Sequence, residues 1–260
     1  IIGQSLAEMI EQLETYRTAM IEGSRILKKE KKQLTQSQII RAENNLKRSN
    51  LTAWLLEQYS QAGIIGERTN AVIVHYAMTS RILDEPISVM CLSPSGTGKS
   101  YLFKMVAKCM PEGEVESTTQ LSENALYYSG TDLKHKCMII EDMDGAMTAE
   151  YGMRELISNL YLTKRVSVRD PKTGKTTTVV YVTEGPTGFF GSTTKESLYE
   201  DNSNRCILIY LDESREQDER VMSYQRKLKA RLIDQQSEQE IREQLQEMQL
   251  LLKKEKVCNP

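Results

Sequence analysis

The stretch that most constrains the fold is a glycine-rich loop between an apolar run and a helical pattern. Residues 87–92 read "ISVMCL", residues 93–100 read "SPSGTGKS", and the following "YLFKMVAKCM" repeats apolar side chains at three- and four-residue spacing. A strand, a glycine loop, Lys-Ser and a helix in this order are typical of a loop that binds phosphate through backbone N–H groups. A simple glycine turn before a helix needs no Lys-Ser pair. The pattern therefore predicts a site for a nucleoside triphosphate.

Each position of the glycine loop has an expected role. Gly96 and Gly98 let the backbone bend so that N–H groups point at phosphate. Lys99 is expected to reach the β- and γ-phosphates of ATP, and Ser100 to ligate Mg²⁺ at the start of the helix. Ser93 stands where the first glycine of the motif is usual. The predicted nucleotide contacts are Ser95, Gly96, Thr97, Gly98, Lys99, Ser100 and Tyr101.

An acidic sequence, "EDMDG", follows a second apolar run downstream. We expect Glu141 to hold the Mg²⁺ shell and Asp142 to orient or deprotonate the attacking water, with Asp144 as a possible helper. The usual order of the two acids, Asp then Glu, is reversed here, so a shorter side chain has to reach the water. An acidic turn after a core strand is the alternative interpretation.

From residue 86 onwards, short apolar runs alternate with helical patterns, which predicts an α/β fold with a mostly parallel sheet. The predicted strands are 87–92, 114–119, 137–141, 188–192 and 206–211, and the helices between them include 100–110 and 149–160. Both flanks are predicted to be helical. We therefore expect three parts, a helical N-terminal segment at 1–70, a nucleotide-binding core at 71–212, and a helical C-terminal lid or arm at 213–260.

A basic β-hairpin is predicted inside the core, at residues 164–182. Two runs rich in β-branched residues, "KRVSVR" and "TTTVVYV", flank the turn "DPKTGK". The chain as a whole has a net charge of −2, but the hairpin carries five cations against one acid. Such a finger attracts a phosphodiester backbone, although a solvated edge hairpin that uses lysines to prevent aggregation has the same composition. The predicted DNA-binding residues are Lys164, Arg165, Arg169, Lys172 and Lys175.

Two later positions complete the predicted catalytic set. Thr194, or its neighbour Thr193, ends a strand where a hydroxyl would sense the γ-phosphate. Arg205 begins the last strand, where an arginine often reaches the nucleotide of a neighbouring subunit. The alternative for Arg205 is a surface salt bridge.

In combination these motifs resemble the AAA+ ATPases, and most closely the branch with a pre-sensor hairpin, the minichromosome-maintenance (MCM) helicases and their relatives. The resemblance covers about residues 86–212. "IIEDMDG" resembles the acidic strand, "VSVRDPKTGKTTTVV" the hairpin that tracks DNA, and "SNRCILIYLDE" the segment that carries the arginine finger, with Cys206 where Phe is usual. The phrases "ALYY", "EDNSNRC" and "LDES" also resemble ATPase modules that accompany primases in bacterial mobile elements and phages.

The resemblance implies an ATP- and Mg²⁺-dependent helicase that assembles into a ring or spiral, usually of six copies, and translocates on DNA without sequence preference. A primase domain or protein is the implied partner. Thr194 replaces the more usual Asn sensor, and Arg215 and Arg220 are both candidates for the later sensor arginine. A loader, initiator or regulatory ATPase without unwinding activity is the alternative, and a helical scaffold with a vestigial site is a further one. A metabolic P-loop kinase fits poorly.

Composition restricts which kinds of binding site and cellular location the chain can have. The chain has 34 Lys and Arg against 36 Asp and Glu, so affinity for a polyanion has to come from local charge. Two histidines exclude a histidine-rich metal site, and five scattered cysteines without CxxC spacing predict reduced thiols rather than zinc or disulfides. No membrane-spanning run or signal-peptide pattern is present, which predicts a cytoplasmic protein. The first residue is Ile rather than Met, which is typical of a fragment.

Overall fold

The computed structural model describes residues 12–16, 33–130, 132–169, 174–195 and 204–253, with only the backbone at Met147. The chain divides into two compact units, residues 1–33 and 34–260. In the first unit, residues 12–16 are helical. All the helices and strands that are numbered in the following paragraphs lie in the second unit.

A parallel sheet forms the centre of the second unit. In chain order the strands are β1 (Ser88–Leu92), β2 (Val115–Thr118), β3 (Lys136–Ile140), β4 (Tyr161–Arg169), β5 (Thr176–Glu184), β6 (Thr187–Thr193) and β7 (Cys206–Ile209). Five of them form one sheet in the order β2-β3-β6-β1-β7, and all neighbours run parallel. The predicted α/β fold is confirmed, and the five predicted strands are present with their ends moved by one or two residues.

Helices cover both faces of this sheet. They are α1 (Gln36–Leu46), α2 (Leu51–Gln61), α3 (Arg68–Thr79), α4 (Lys99–Ala107), α5 (Glu150–Asn159), α6 (Arg215–Lys229) and α7 (Gln235–Leu251). Helix α1 begins at a capping box, in which Thr35 and Gln38 satisfy each other's backbone N–H groups. Among the described helices, none combines the length and the apolar character that crossing a lipid bilayer requires.

The core has two halves, one on each face of the sheet. Successive strand residues point to opposite faces, so Phe189 and Phe190, both fully buried, belong to different halves. Phe190 packs edge-to-face on Phe103 of α4, with ring centroids 6.1 Å apart. Phe189 packs with residues such as Met153 and Leu156 of α5. Because helices cover both faces, β1 and β6 are buried along their whole length. This explains the apolar run of β1, whereas β6 reads TGFFGST and is apolar only at its centre.

A buried polar network joins α7 to the core. Arg81, which is only 1% exposed, donates two hydrogen bonds to Oε2 of Glu114, at 2.5 and 2.8 Å. Its Nη1 also donates to Oε1 of Gln249 on α7, at 2.9 Å. The amide nitrogen of Gln249 lies 3.2 Å from Nε2 of His75, and Nδ1 of His75 lies 2.7 Å from the hydroxyl of Tyr59. These contacts fix the C-terminal helix against α2 and α3.

The basic hairpin consists of β4 and β5, which form a separate antiparallel ribbon. Their register runs from Tyr161 opposite Glu184 to Arg169 opposite Thr176, so the ribbon is longer than the predicted 164–182. Residues 170–173 at its tip, which include Lys172, lie outside the described residues. The ribbon begins directly after α5 and ends two residues before β6.

Candidate nucleotide-binding site

The glycine loop has the backbone that an anion cradle needs. Gly96 and Gly98 have φ angles of 88° and 96°, in the left-handed region that side chains disfavour. A Cβ added at either position would meet no atom within 4 Å, so the space beside both glycines is open. Helix α4 begins at Lys99, directly after Gly98, and its first-turn N–H groups therefore face the loop.

Lys99 is held inside the loop. Its side chain is 9% exposed, and Nζ donates to the carbonyl oxygens of Ser93 and Pro94, each at 2.6 Å. Both acceptors belong to the loop itself. The ammonium group is thus positioned where phosphate oxygens would take over from these carbonyls.

The contacts of Ser93 explain why a serine stands where glycine is usual. Its buried hydroxyl donates to the carbonyl of Leu92 at 2.6 Å and accepts the N–H of Leu211 at 3.0 Å. The serine side chain therefore ties the start of the loop to the segment after β7. A glycine at this position would leave the N–H of Leu211 without this acceptor.

The two adjacent acids have different surroundings. Glu141 directly follows β3, is partly buried, and accepts a hydrogen bond of 2.8 Å from Nζ of Lys104. Asp142 is exposed, and its Oδ1 accepts the backbone N–H groups of Asp144 at 3.0 Å and Gly145 at 3.2 Å. Sequence reasoning missed Lys104, although its position one helical turn after Ser100 was a usable signal.

Asp144 is hydrogen-bonded to both threonines that the sequence predicts as sensors. Its Oδ1 accepts the hydroxyl of Thr193 at 2.7 Å, and its Oδ2 accepts the hydroxyl of Thr194 at 2.9 Å and its N–H at 3.3 Å. Burial favours the neutral acid, but the hydrogen bonds from the two threonines, with Lys195 nearby, outweigh it and lower the pKa of Asp144. Asp144 is therefore an ionised acceptor at neutral pH.

One open cleft brings most of the predicted site residues together. It is lined by Ser95, Gly96, Gly98, Lys99, Ser100, Tyr101, Glu141, Asp142, Asp144, Ser192, Thr193 and Thr194. The side chain of Thr97 instead donates to the carbonyl of Pro94 at 3.0 Å, closing the loop on itself. The hydroxyl of Tyr101 donates to the carbonyl of Gly63 at 3.2 Å. Sequence reasoning missed Ser192, whose hydroxyl donates to the carbonyl of Glu141 at 2.6 Å.

A model of a known family matches most of the chain. The family is described as the MTBMA_p00010 P-loop domain, and the match spans residues 38–255. The chain belongs to this P-loop family. Membership indicates binding of a nucleoside triphosphate, usually with Mg²⁺, and hydrolase chemistry in general. A search of curated proteins found no match.

The P-loop cleft has a donor set that fits Mg²⁺ with a nucleotide. Its oxygens come from the hydroxyl of Ser100 and the carboxylates of Glu141, Asp142 and Asp144, and Mg²⁺ prefers such hard oxygen ligands. Among the described residues, no group of three or more His, Cys, Asp or Glu is arranged to hold a metal ion. At the P-loop, Ser100 would hold Mg²⁺ directly, together with phosphate oxygens, and the carboxylates would act through water.

The remaining predicted arginines are absent from the residues that line the P-loop cleft of their own chain, although Arg205 lines a small cavity that shares Asp144 and Thr193 with that cleft. Arg205 directly precedes β7, is exposed, and donates through Nε to the hydroxyl of Ser158 on α5 at 2.9 Å. Arg220 pairs with Asp212 at 3.1 Å, and Arg215 pairs with Glu219 at 3.3 Å.

The described hairpin cations fall into two groups. Arg165, Arg169 and Lys175 are exposed. Lys164 is partly buried at the root, where Nζ contacts Oδ1 of Asn124 and lies 5.0 Å from the ring centre of Tyr127. The outer part of the hairpin therefore presents its charge to solvent, whereas Lys164 is engaged with neighbouring side chains.

Proposed function

We propose that the protein is an ATP-hydrolysing oligomeric motor that binds DNA and moves along it, a helicase of the AAA+ branch with a pre-sensor hairpin. One observation carries the proposal. The basic ribbon β4–β5 leads within two residues into β6, and β6 ends at Thr193, which bonds to Asp144 beside the P-loop. A change at the γ-phosphate end of the cleft has a direct covalent path, along one strand, to a cationic finger.

In this proposal each residue of the cleft has the role that is usual at a P-loop site. Lys99 and the loop N–H groups bind the phosphates of ATP. Mg²⁺ would be held by Ser100 directly and Glu141 through water, and it supplies charge neutralisation at the β- and γ-phosphates. Asp142, exposed on the cleft, orients the attacking water, and Thr194 bonds to a γ-phosphate oxygen.

Arg205 acts in this proposal on the nucleotide of a neighbouring copy. It is exposed, and although it shares a small cavity with Asp144 and Thr193, it is absent from the residues that line the cleft of its own chain. An arginine that serves the next subunit requires a head-to-tail assembly, which closes into a ring or continues as a spiral. Six copies are expected by resemblance, and a primase domain or protein is the expected partner.

The trans role of Arg205 is tested by mixing two inactive variants. Lys99→Ala lacks a working P-loop but keeps Arg205, and Arg205→Ala has the reverse defect. Each alone is expected to lose ATP hydrolysis, whereas a random equimolar mixture regains about a quarter of the parent rate, because one interface in four combines both intact halves. Mixing the parent with Lys47→Ala, which removes one exposed cation directly after α1, is the control. The trans role is wrong if Arg205→Ala hydrolyses ATP like the parent, or if the mixed assembly stays inactive.

An ATPase that loads or remodels a partner without unwinding is the second candidate, and one observation favours it. Glu141 is ion-paired with Lys104, and Asp142 accepts two backbone N–H groups, so both acids are held by the protein itself. Such restraint suits a nucleotide switch with slow turnover. Displacement of a labelled strand, measured with ATP and compared with Lys99→Ala, separates the two. A chain that hydrolyses ATP on DNA without displacing a strand supports the second candidate.

A further inference from the structure

We infer that a cluster of tyrosines at the root of the hairpin stacks the bases of a single nucleic-acid strand. This tyrosine platform consists of Tyr127, Tyr128, Tyr151 and Tyr181 with the cations Arg154 and Lys164. The inference rests on the proposed function, because it adds a base-binding surface to a chain proposed to contact DNA through phosphates. It gives a role to the "ALYY" sequence, which the nucleotide site leaves unused.

The first half of the platform joins the hairpin to the 3-10 turn Leu126–Tyr128. Lys164 and Tyr181 are directly opposite each other in the β4–β5 register, so their side chains share one face of the ribbon. Tyr128 packs edge-to-face on Tyr181 with ring centroids 4.7 Å apart, and the ammonium of Lys164 lies 5.0 Å above the ring of Tyr127. The hydroxyl of Thr183 fixes this arrangement by donating to the carbonyl of Leu126 at 2.7 Å.

The second half of the platform comes from α5. The guanidinium of Arg154 lies 6.0 Å from the ring centre of Tyr151. Helix α5 packs directly on the first half, because a Cβ built at Gly152, the residue after Tyr151, would lie 3.3 Å from Leu126 of the turn and 3.4 Å from Leu162 of β4. The aromatic rings and cations are therefore contiguous from α5 to the hairpin.

The platform is built of aromatic surface that the described part of the chain leaves uncovered. Tyr128 is 46% exposed and Tyr151 is 56% exposed. Rings at this level of exposure offer faces on which bases of any sequence stack. Their rigid neighbours, Tyr127 and Tyr181, are more buried and hold them in place.

Charge decides which part of a nucleic acid the platform suits. Glu123 lies three residues before the turn Leu126–Tyr128 and Glu155 lies on α5, so the platform's elements carry two acids as well as the cations Arg154 and Lys164, and this balance suits bases rather than phosphates. The exposed Arg169 lies five residues beyond Lys164, about 17 Å further along the strand. Arg165 and Arg169 project from the other face of the ribbon. The ribbon is narrow, because β4 and β5 lie only about 5 Å apart. A single strand along the ribbon edge would contact both faces, with bases at the root and phosphates further out.

The test compares two ligands of equal charge. A fluorescent oligothymidylate and an abasic phosphodiester of the same length are titrated against the full chain, and binding is measured by anisotropy. We expect the parent to bind the oligothymidylate about tenfold more tightly than the abasic ligand, because stacking on one or two rings provides binding free energy of that size. The double variant Tyr128→Leu/Tyr151→Leu keeps apolar packing and is expected to bind both ligands equally. Tyr76→Leu, which changes a tyrosine 40% exposed on α3, is the matched control and keeps the preference.

The possible outcomes separate this inference from the proposed function. Equal binding of both ligands by the parent overturns the platform and leaves a DNA-binding motor intact. Binding of neither ligand overturns both. If the double variant keeps the preference but changes its sedimentation, the tyrosines form an interface between copies of the chain, and the inference is wrong.

Discussion

The hydroxyl of Thr193 donates a hydrogen bond of 2.7 Å to Oδ1 of Asp144, and so joins the end of β6 to the turn that follows β3. The same two segments are joined again by Ser192, whose hydroxyl donates to the carbonyl of Glu141. The acids and the sensor residues therefore form one hydrogen-bonded unit at the edge of the sheet. The hairpin is continuous with that unit through β6.

Replacing Asp144 with Asn is expected to slow ATP hydrolysis more than it weakens nucleotide binding. The amide is neutral, and its nitrogen cannot accept the hydrogen bonds that now position Thr193 and Thr194. We expect kcat to fall at least about tenfold with a smaller change in KM, as for loss of a positioned donor in the transition state. Steady-state kinetics measure both constants.

Paired substitutions at Thr193 provide the control for that prediction. Thr193→Ser keeps the hydroxyl and should keep most of the activity, whereas Thr193→Val removes it at similar volume and should behave like Asp144→Asn. Equal kcat values for the parent, Asp144→Asn and Thr193→Val would show that this contact has no part in turnover.

Restoring the usual glycine at position 93 is expected to destabilise the protein. Ser93→Gly removes the acceptor for the N–H of Leu211, a residue only 6% exposed. An unsatisfied buried donor costs about 1–3 kcal/mol, so the urea midpoint should fall accordingly. Ser93→Thr keeps the hydroxyl and is the comparison variant. A midpoint unchanged in Ser93→Gly would mean that the contact contributes nothing to stability.

Removing two exposed hairpin cations is expected to weaken DNA binding and its salt dependence together. For Arg165→Ala/Lys175→Ala, the slope of log affinity against log salt should become shallower by about 1.4, because each lost contact with a single strand accounts for about 0.7. Basal ATP hydrolysis should persist, since both residues lie outside the P-loop cleft. The affinity is measured by anisotropy at several salt concentrations.

Lys47→Ala is the control for loss of an exposed cation elsewhere on the surface, because Lys47 directly follows α1 and its side chain is 73% exposed. We expect this variant to keep the parent slope. If the hairpin variant and Lys47→Ala have the same slope, the hairpin is not a DNA finger, and its cations serve only to keep an exposed edge soluble.

The buried imidazole of His75 is expected to make folding sensitive to mild acid. Burial, with Arg81 nearby, lowers the pKa of His75 to about 3. Because the amide nitrogen of Gln249 can only donate, Nε2 of His75 accepts, and Nδ1 carries the proton towards Tyr59. In the unfolded chain the imidazole of His75 takes up a proton near pH 6.5, and in the folded chain it does not. The stability that the neutral, buried imidazole contributes is therefore complete above pH 6.5 and is lost as the pH falls towards 3.

The expected size is a loss of about 1.5 kcal/mol in the free energy of unfolding between pH 6.5 and 5. Urea unfolding at several pH values measures it. His75→Gln cannot titrate and should flatten the curve in this interval, whatever its stability at pH 7. A parent curve that is already flat from pH 6.5 to 5 would contradict the prediction.

Local sequence was sufficient for the elements of the fold and for the phosphate-binding loop. The strands were predictable because helices bury both faces of the sheet and thus favour short apolar runs, as in residues 89–92 of β1. The loop was predictable because left-handed backbone at Gly96 and Gly98 demands glycine. The hairpin was predictable because β-branched runs flank a turn sequence, although its ends extend further than the pattern indicated.

The tertiary structure alone decided which side chains meet. Ser93 bonds to Leu211, 118 residues away, and Thr193 bonds to Asp144, 49 residues away. Neither pairing has a periodicity or a spacing that sequence could reveal, because both depend on the order in which parallel strands assemble into one sheet. The platform at the hairpin root has the same origin, since its rings come from three separate elements. Sequence therefore determined the local shapes, and the strand order determined their contacts.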